Sequence, residues 1–193
     1  DYNLMWGRPL RSIFALFNGK KIAFHFNHLE SSDEIIIEQD LASKSKKVKN
    51  FKDYDSFLKC NNIILDHNER EKIILKKINL TSKSKDYKEI LNLKLLEEVV
   101  NIVEDPNVLL INFNKEYLKI PQEIIISTLE KHQRYFPIFD SRGRLTNNFF
   151  VVANKKDEKK FITIGNKRVV EARLADAKFF WDKDRSKNLI KQI

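Results

Sequence analysis

The stretch from Arg134 to Asn154, RYFPIFDSRGRLTNNFFVVAN, limits the possible folds most sharply. RYFPIFD and NNFFVVAN are apolar runs of strand length, and SRGR between them holds Gly143, which can take the left-handed backbone of a short hairpin loop. An antiparallel pair is expected here. A second hairpin signal lies in SIFALFNGKKIAFHF, Ser12 to Phe26, where two apolar runs flank Asn18-Gly19. That dipeptide supplies the positive φ angles of a type I′ turn. On its second strand Ile22, Phe24 and Phe26 alternate with Ala23 and His25, which predicts one face in the core and one wet or partner-facing face.

Helical signals separate these hairpins. After Ser31 the pattern weakens: Glu34 to Glu38 reads as a short strand, KSKKVKNFK (Lys44 to Lys52) as a solvated loop, and Asp53 to Leu58 as a helical turn burying Tyr54, Phe57 and Leu58. NIILD, Asn62 to Asp66, reads as a strand leading into a helix that Asp66 caps, with Glu69 three residues on as in a capping box. That helix passes through Ile74 and Ile78 and is expected to break at TSKSK, Thr81 to Lys85. A second helix is expected from about Asp86 to Glu104, because Leu96, Val99, Val100 and Val103 fall on one stripe. Asp105-Pro106 stops it.

NVLLINF, Asn107 to Phe113, predicts a buried strand, and Pro121 suits the first turn of a helix reaching about His132. Lys155 to Lys160 reads as a charged loop, and a last helix, about Lys167 to Asp182, buries Val170, Leu174, Ala177 and Trp181. Hairpins and helices mix without strict βαβ alternation, which points to the α+β class with mixed, largely antiparallel sheets. The 193 residues, 42% hydrophobic, suffice for one α+β domain spanning 1–193, or for two sub-lobes of about 1–60 and 61–193.

Composition bounds the function. No apolar run approaches the ~18 residues of a membrane span. The single cysteine, Cys60, has no internal disulfide partner, which points to a reduced, cytoplasmic setting. The chain opens at Asp1 without an initiator methionine and is expected to be a fragment of a longer one. Lys+Arg number 36 against Asp+Glu 27, a formal charge of +9. Charge alone admits two readings, a polyanionic partner such as nucleic acid and a merely soluble basic surface.

Chemical motifs are sparse. His25, His28, His67 and His132 lack the spacing of a zinc motif, no G-x-S-x-G occurs, and four glycines form no Walker loop. Asp176 lies three residues after Arg173, a spacing for a helix-face ion pair rather than a catalytic acid. No catalytic, cofactor-binding or metal-ligating residue is assigned. The residues with the right chemistry for phosphates are Arg134, Arg142 and Arg144 around the hairpin, and Lys167, Arg168 and Arg173 at the expected start of the last helix. Tyr135, Phe136 and Phe139 lie nearby; Phe136 and Phe139 are expected in the core, and base stacking is open to Tyr135. His132 can cap the helix end, orient its neighbours or meet a partner.

LLEEVVNIVEDPNVLL, KIPQEIIISTLEKHQRYFPIFDSRGRLTNNFFVVAN and IGNKRVVEARLADAKFFWDKD closely resemble the beta subunit of bacterial heterotetrameric glycyl-tRNA synthetase. RPLRSIFALFNGKKI, NFKDY and IILDHNERE follow the same family in order, so the resemblance covers nearly the whole chain. One departure stands out: members usually carry Gly-His-Arg-Phe shortly after the first hairpin, where this chain reads LESSDEIIIEQDLASKSKK. The resemblance implies a class II synthetase of two alpha and two beta subunits. Its alpha subunit activates glycine with ATP and Mg, and its beta subunit binds tRNA(Gly). It also implies a fold similar to the tRNA-contacting, editing-like domain of the phenylalanyl-tRNA synthetase beta subunit. The expected role is a tRNA-binding part of the beta subunit, with no cofactor of its own and no membrane partner. The alternatives are a module bracing the alpha subunit and a vestigial editing-like domain.

Overall fold

Residues 108–111 and 149–153 are apolar without interruption because both faces of their sheet are covered. The computed structural model describes residues 10–39, 42–88 and 91–186. The chain divides into two compact units, Asp1–Leu65 and Asp66–Ile193. The fold is α+β, with mixed and antiparallel sheets.

The first unit contains β1 (Ile13–Phe14), β2 (Leu16–Phe17), β3 (Lys20–Lys21), β4 (His25–Phe26), β5 (Leu29–Ser32), β6 (Glu34–Gln39), β7 (Ala42–Lys47) and α1 (Phe51–Cys60). β2 and β3 pair across Asn18-Gly19, whose φ angles of 46° and 76° are those the type I′ turn requires. β1, β5 and β4 form a three-stranded sheet in which β1 runs parallel to β5. The Ser31 hydroxyl, buried between them, donates to the Ile22 carbonyl at 2.6 Å and accepts from the Phe24 amide at 3.0 Å.

Three expectations fail in this unit. Ile22, Phe24 and Phe26 form no core face; all three are exposed. A hairpin of two-residue strands has too little sheet to fold a covered face around them. The lysine run is no loop either, because Lys44 to Lys47 belong to β7 and pair residue for residue with β6. Lys44 and Lys46 lie opposite Ile37 and Ile35, on the face turned to α1. There Lys44 Nζ donates to Asn61 Oδ1 at 2.8 Å and Lys46 sits over the Phe57 ring. Residues 62–66 are not a strand: Asn62 takes a left-handed φ of 58° and the segment runs irregularly to Asp66.

The second unit contains α2 (His67–Ser84), β8 (Tyr87–Lys88), α3 (Leu93–Ile102), β9 (Asn107–Asn112), a 3-10 turn (Lys115–Lys119), α4 (Gln122–Ser127) continued by a π turn (Thr128–His132), β10 (Phe136–Asp140), β11 (Leu145–Ala153) and α5 (Phe161–Ser186). The sheet order is β8-β10-β11-β9, antiparallel throughout. Phe136, Ile138 and Phe150 pack on Ile74 and Ile78 of α2 and on Leu95, Leu96, Val99 and Val100 of α3. On the opposite face Ile111, Phe113, Phe149 and Val151 pack on Ile125, Leu129, Val170 and Leu174. Neighbouring residues of β11 thus bury into different cores, as strand geometry dictates. Pro137 lies beyond the part of β10 that β8 covers, Phe139 and Asp140, so on that side its missing amide breaks no ladder bond.

Asp66 caps α2 by accepting the Asn68 amide at 2.8 Å. The helix does not break at Thr81: it runs to Ser84, and Thr81 and Ser84 turn their hydroxyls back to the Lys77 and Thr81 carbonyls. The next helix begins only at Leu93, capped by Asn92. Asp86, at φ 53°, turns the chain so that Tyr87 and Lys88 pair with Asp140 and Phe139; residues 89 and 90 of the expected helix lie outside the described residues. The last helix starts at Phe161, six positions ahead of the expected Lys167. Asp157 caps it, accepting the Ile162 amide, the Thr163 amide and the Thr163 hydroxyl. Burial alone would raise the Asp157 carboxyl, but these donors and the Lys160 charge together hold it below its ordinary value.

Candidate nucleic-acid interface

The turn between β10 and β11 is rigid because one carboxylate organises it. Asp140 Oδ1 accepts the Arg142 amide at 3.0 Å and the Arg144 amide at 2.8 Å, while Oδ2 takes the Arg144 guanidinium at 2.8 Å through both Nε and Nη2. Backbone bonds close the same loop, Asp140 N to Arg144 O at 2.9 Å and Gly143 N to Asp140 O at 2.8 Å. Gly143 takes the expected left-handed conformation, φ 78°. The Arg144 amide, followed by that residue's side chain and charge and the Arg142 amide, holds the Asp140 carboxyl below its ordinary value against the opposing effect of burial.

β8 adds a third cation. Lys88 pairs with Phe139, and a methyl group on Gly143 would lie 3.9 Å from Lys88 Nζ. Lys88, Arg142 and Arg144 therefore gather at the turn, and Arg142 keeps its guanidinium without a carboxylate partner among the described residues. A cationic tip on a stiffened loop is suited to phosphate contact, since little backbone freedom remains to be lost. Lys88 carries no local sequence signal. It reaches the tip only through strand pairing across 50 residues of chain, which periodicity within a window cannot register.

The other candidate cations do not join this cluster into one patch. Arg134 sits in a left-handed conformation, φ 59°, and closes the π turn. Its guanidinium donates to the Lys131 carbonyl and pairs through Nε with Glu98 at 2.6 Å. Lys167 reaches Asn112 at 3.4 Å and Glu171 at 3.9 Å, and lies inside α5 rather than at its start. At ~100° per residue, Lys167 and Arg173 flank the buried Val170–Leu174 stripe on opposite sides, and Arg168 points from the back of the helix. No ion pair joins Arg173 to Asp176 among the described residues; Arg173 instead lies near the Tyr135 hydroxyl. Burial pushes that hydroxyl above its ordinary value, and the Arg173 charge pulls it down. Tyr135 is not open to base stacking: it is buried, stacked on Phe149 at 5.4 Å and hydrogen-bonded to Asn166. Phe136 is buried as expected, whereas Phe139 is only half-buried.

A cleft of about 480 Å³ lies beside β9, lined by Ile73 and Lys77 of α2 and by Lys156, Asp157 and Glu158; neither His132 nor Asp176 lines it, and both are exposed. No group of three or more His, Cys, Asp or Glu residues among the described residues is placed to hold a metal. No helix there is long and apolar enough to cross a membrane.

Comparison with known proteins identifies the lineage. A family profile described as "Glycyl-tRNA synthetase beta subunit" matches residues 1–193. The chain belongs to this family. It is 36% identical over 190 residues to a glycine–tRNA ligase beta subunit of Rickettsia canadensis, covering 98% of this chain and 28% of that protein. It is 35% identical over 184 residues to the Thermodesulfovibrio yellowstonii beta subunit, covering 95% of this chain and 27% of that one. For the Buchnera aphidicola beta subunit the identity is 38% over 192 residues, 97% of this chain and 27% of that one. The chain thus spans just over a quarter of the length of these relatives, within an aminoacyl-tRNA synthetase family whose members are components of a glycine ligase.

Proposed function

We propose that this chain is a tRNA-contacting part of a glycine–tRNA ligase beta subunit. On this reading it serves ATP-dependent attachment of glycine to tRNA(Gly), with the activation chemistry, ATP and Mg on an alpha subunit in an α2β2 assembly. A likeness to the tRNA-contacting domain of the phenylalanyl-tRNA synthetase beta subunit belongs to the same proposal. Family membership supports the reaction, and the cationic hairpin tip supports the contact. Arg142, Arg144 and Lys88 position phosphates and break no bond. Lys167, Arg168 and Arg173 offer further contacts along α5, while Arg134 holds the helix end that precedes β10. The test is tRNA(Gly) affinity at fixed low salt. Arg142→Ala is expected to weaken binding several-fold, and Arg168→Ala less. Equal affinity for wild type and Arg142→Ala would remove the tip from the RNA surface.

A second reading, a module bracing the alpha subunit, is favoured by one observation. Phe161, Ile164, Phe179 and Phe180 are exposed on α5, an apolar content that a solvated helix does not need. Capture of purified alpha subunit by this chain, with no measurable tRNA affinity, would establish that reading over the first.

A further inference from the structure

The first unit carries a surface that the hairpin tip does not account for. A methyl group on Gly19 would come 3.2 Å from the Lys49 carbonyl oxygen, so the β2–β3 turn abuts the residue just before the Asn50 cap of α1. Two aromatic rings stand at this junction: Phe17 at the end of β2, 75% exposed, and Phe51 at the start of α1, 70% exposed. Phe51 is held in place, because its ring lies 6.1 Å from Tyr54, which stacks on Phe14 at 5.6 Å and 7°. Lys20, Lys49 and Lys52 each lie within three residues of one ring along the chain, exposed and without a carboxylate partner among the described residues. Of the neighbouring charges, Lys21 pairs with Glu30 at 2.6 Å, while Asp53 takes only the neutral Asn50 side-chain amide at 3.2 Å and keeps its charge.

We propose that Phe17 and Phe51, with Lys20, Lys49 and Lys52, form a binding surface for unpaired nucleotides of RNA. Bases stack on the two rings and the lysines meet the phosphates on either side. Every base offers a π face, so such a platform is tolerant of sequence. Bases inside a duplex are already stacked and have no face to give, which makes the surface selective for single-stranded segments. A protein partner fits less well: lysine is depleted in the cores of protein interfaces, and seating an apolar surface on the rings would desolvate three unpaired ammonium groups. A polyanion neutralises them. The proposal takes its partner class from the tRNA reading but rests on different residues in the other unit.

The experiment titrates a labelled single-stranded oligoadenylate and an RNA duplex of equal length into the whole chain. For the single strand, Phe17→Ala with Phe51→Ala is expected to lower affinity about tenfold or more, from a stacking loss of roughly 1–3 kcal/mol per base, at an unchanged salt slope. Duplex affinity is expected to stay put. Replacing Lys20, Lys49 and Lys52 by Ala is expected to reduce the single-strand salt slope by about 0.7 per lysine. Phe17→Trp with Phe51→Trp keeps the platform and is expected to retain affinity, with tryptophan fluorescence quenched on binding. No single-strand binding by the wild type, unchanged affinity in the Phe→Ala pair, or an equal loss for the duplex would each overturn the proposal. If Arg142→Ala leaves tRNA binding intact while the Phe→Ala pair loses the oligonucleotide, the hairpin-tip reading fails and this one stands.

Discussion

The two units solve the hairpin problem in opposite ways. In the second, the β10–β11 hairpin is one pair within a four-stranded sheet, covered by helices on both faces, and Phe136, Phe149, Val170 and Leu174 are almost fully buried. In the first, the β2–β3 hairpin joins two-residue strands, and Phe17, Ile22, Phe24 and Phe26 remain exposed. Both turns adopt the left-handed conformations that their glycines permit. Turn chemistry is therefore local and survives without a core, whereas burial depends on how much sheet and helix the rest of the chain provides.

The contrast is sharpest in stability. Phe149→Ala removes a ring stacked between Phe113 and Tyr135 and is expected to cost the second unit about 3–5 kcal/mol in urea unfolding. Leu174→Ala, at a fully buried position on α5, is expected to cost roughly 2–5 kcal/mol. Phe17→Ala, at an exposed position, is expected to change stability by no more than about 0.5 kcal/mol. A similar cost for Phe149→Ala and Phe17→Ala would break the comparison.

A smaller effect separates the turns. Gly19→Ala and Gly143→Ala each force a side chain into the left-handed region, at about 1–2 kcal/mol. Gly19→Ala also crowds the Lys49 carbonyl at 3.2 Å, while at Gly143 the nearest atom is the movable end of Lys88 at 3.9 Å. Gly19→Ala is therefore expected to be the costlier of the two in paired thermal melts. The smallest effect is a titration. Because its donors are made in the folded state, Asp140 is expected to titrate below its ordinary value of 3.8 when followed by carboxyl NMR. Its contribution to tip stability is present above that ordinary value and is lost as pH falls through the folded one. Arg144→Ala is expected to move the titration back up.

Much of the second unit was legible because its signals are local and strong. The stripe of Leu96, Val99, Val100 and Val103, the apolar runs within β9 and β11, and Gly143 all read correctly. What was not legible depends on distant partners. Tyr87 and Lys88 look helical by composition but are captured by β10, and Thr81 to Ser84 look like a break but continue a helix whose Ser82 is buried. The lysine run became a strand because β6 supplied a partner and α1 gave its lysines a surface to lie on. For the candidate site, Arg142 and Arg144 could be placed at a hairpin tip from Gly143 alone. Lys88 could not, and neither could the ion pair that holds Arg134 to Glu98.

The central claim is that the tip of β10–β11 meets RNA phosphates, and the salt dependence of tRNA(Gly) binding tests it most directly. With Lys88, Arg142 and Arg144 all changed to Ala, the slope of log affinity against log salt is expected to fall by about one unit for each phosphate contact removed, two to three in all. A slope identical to that of the wild type would contradict the claim.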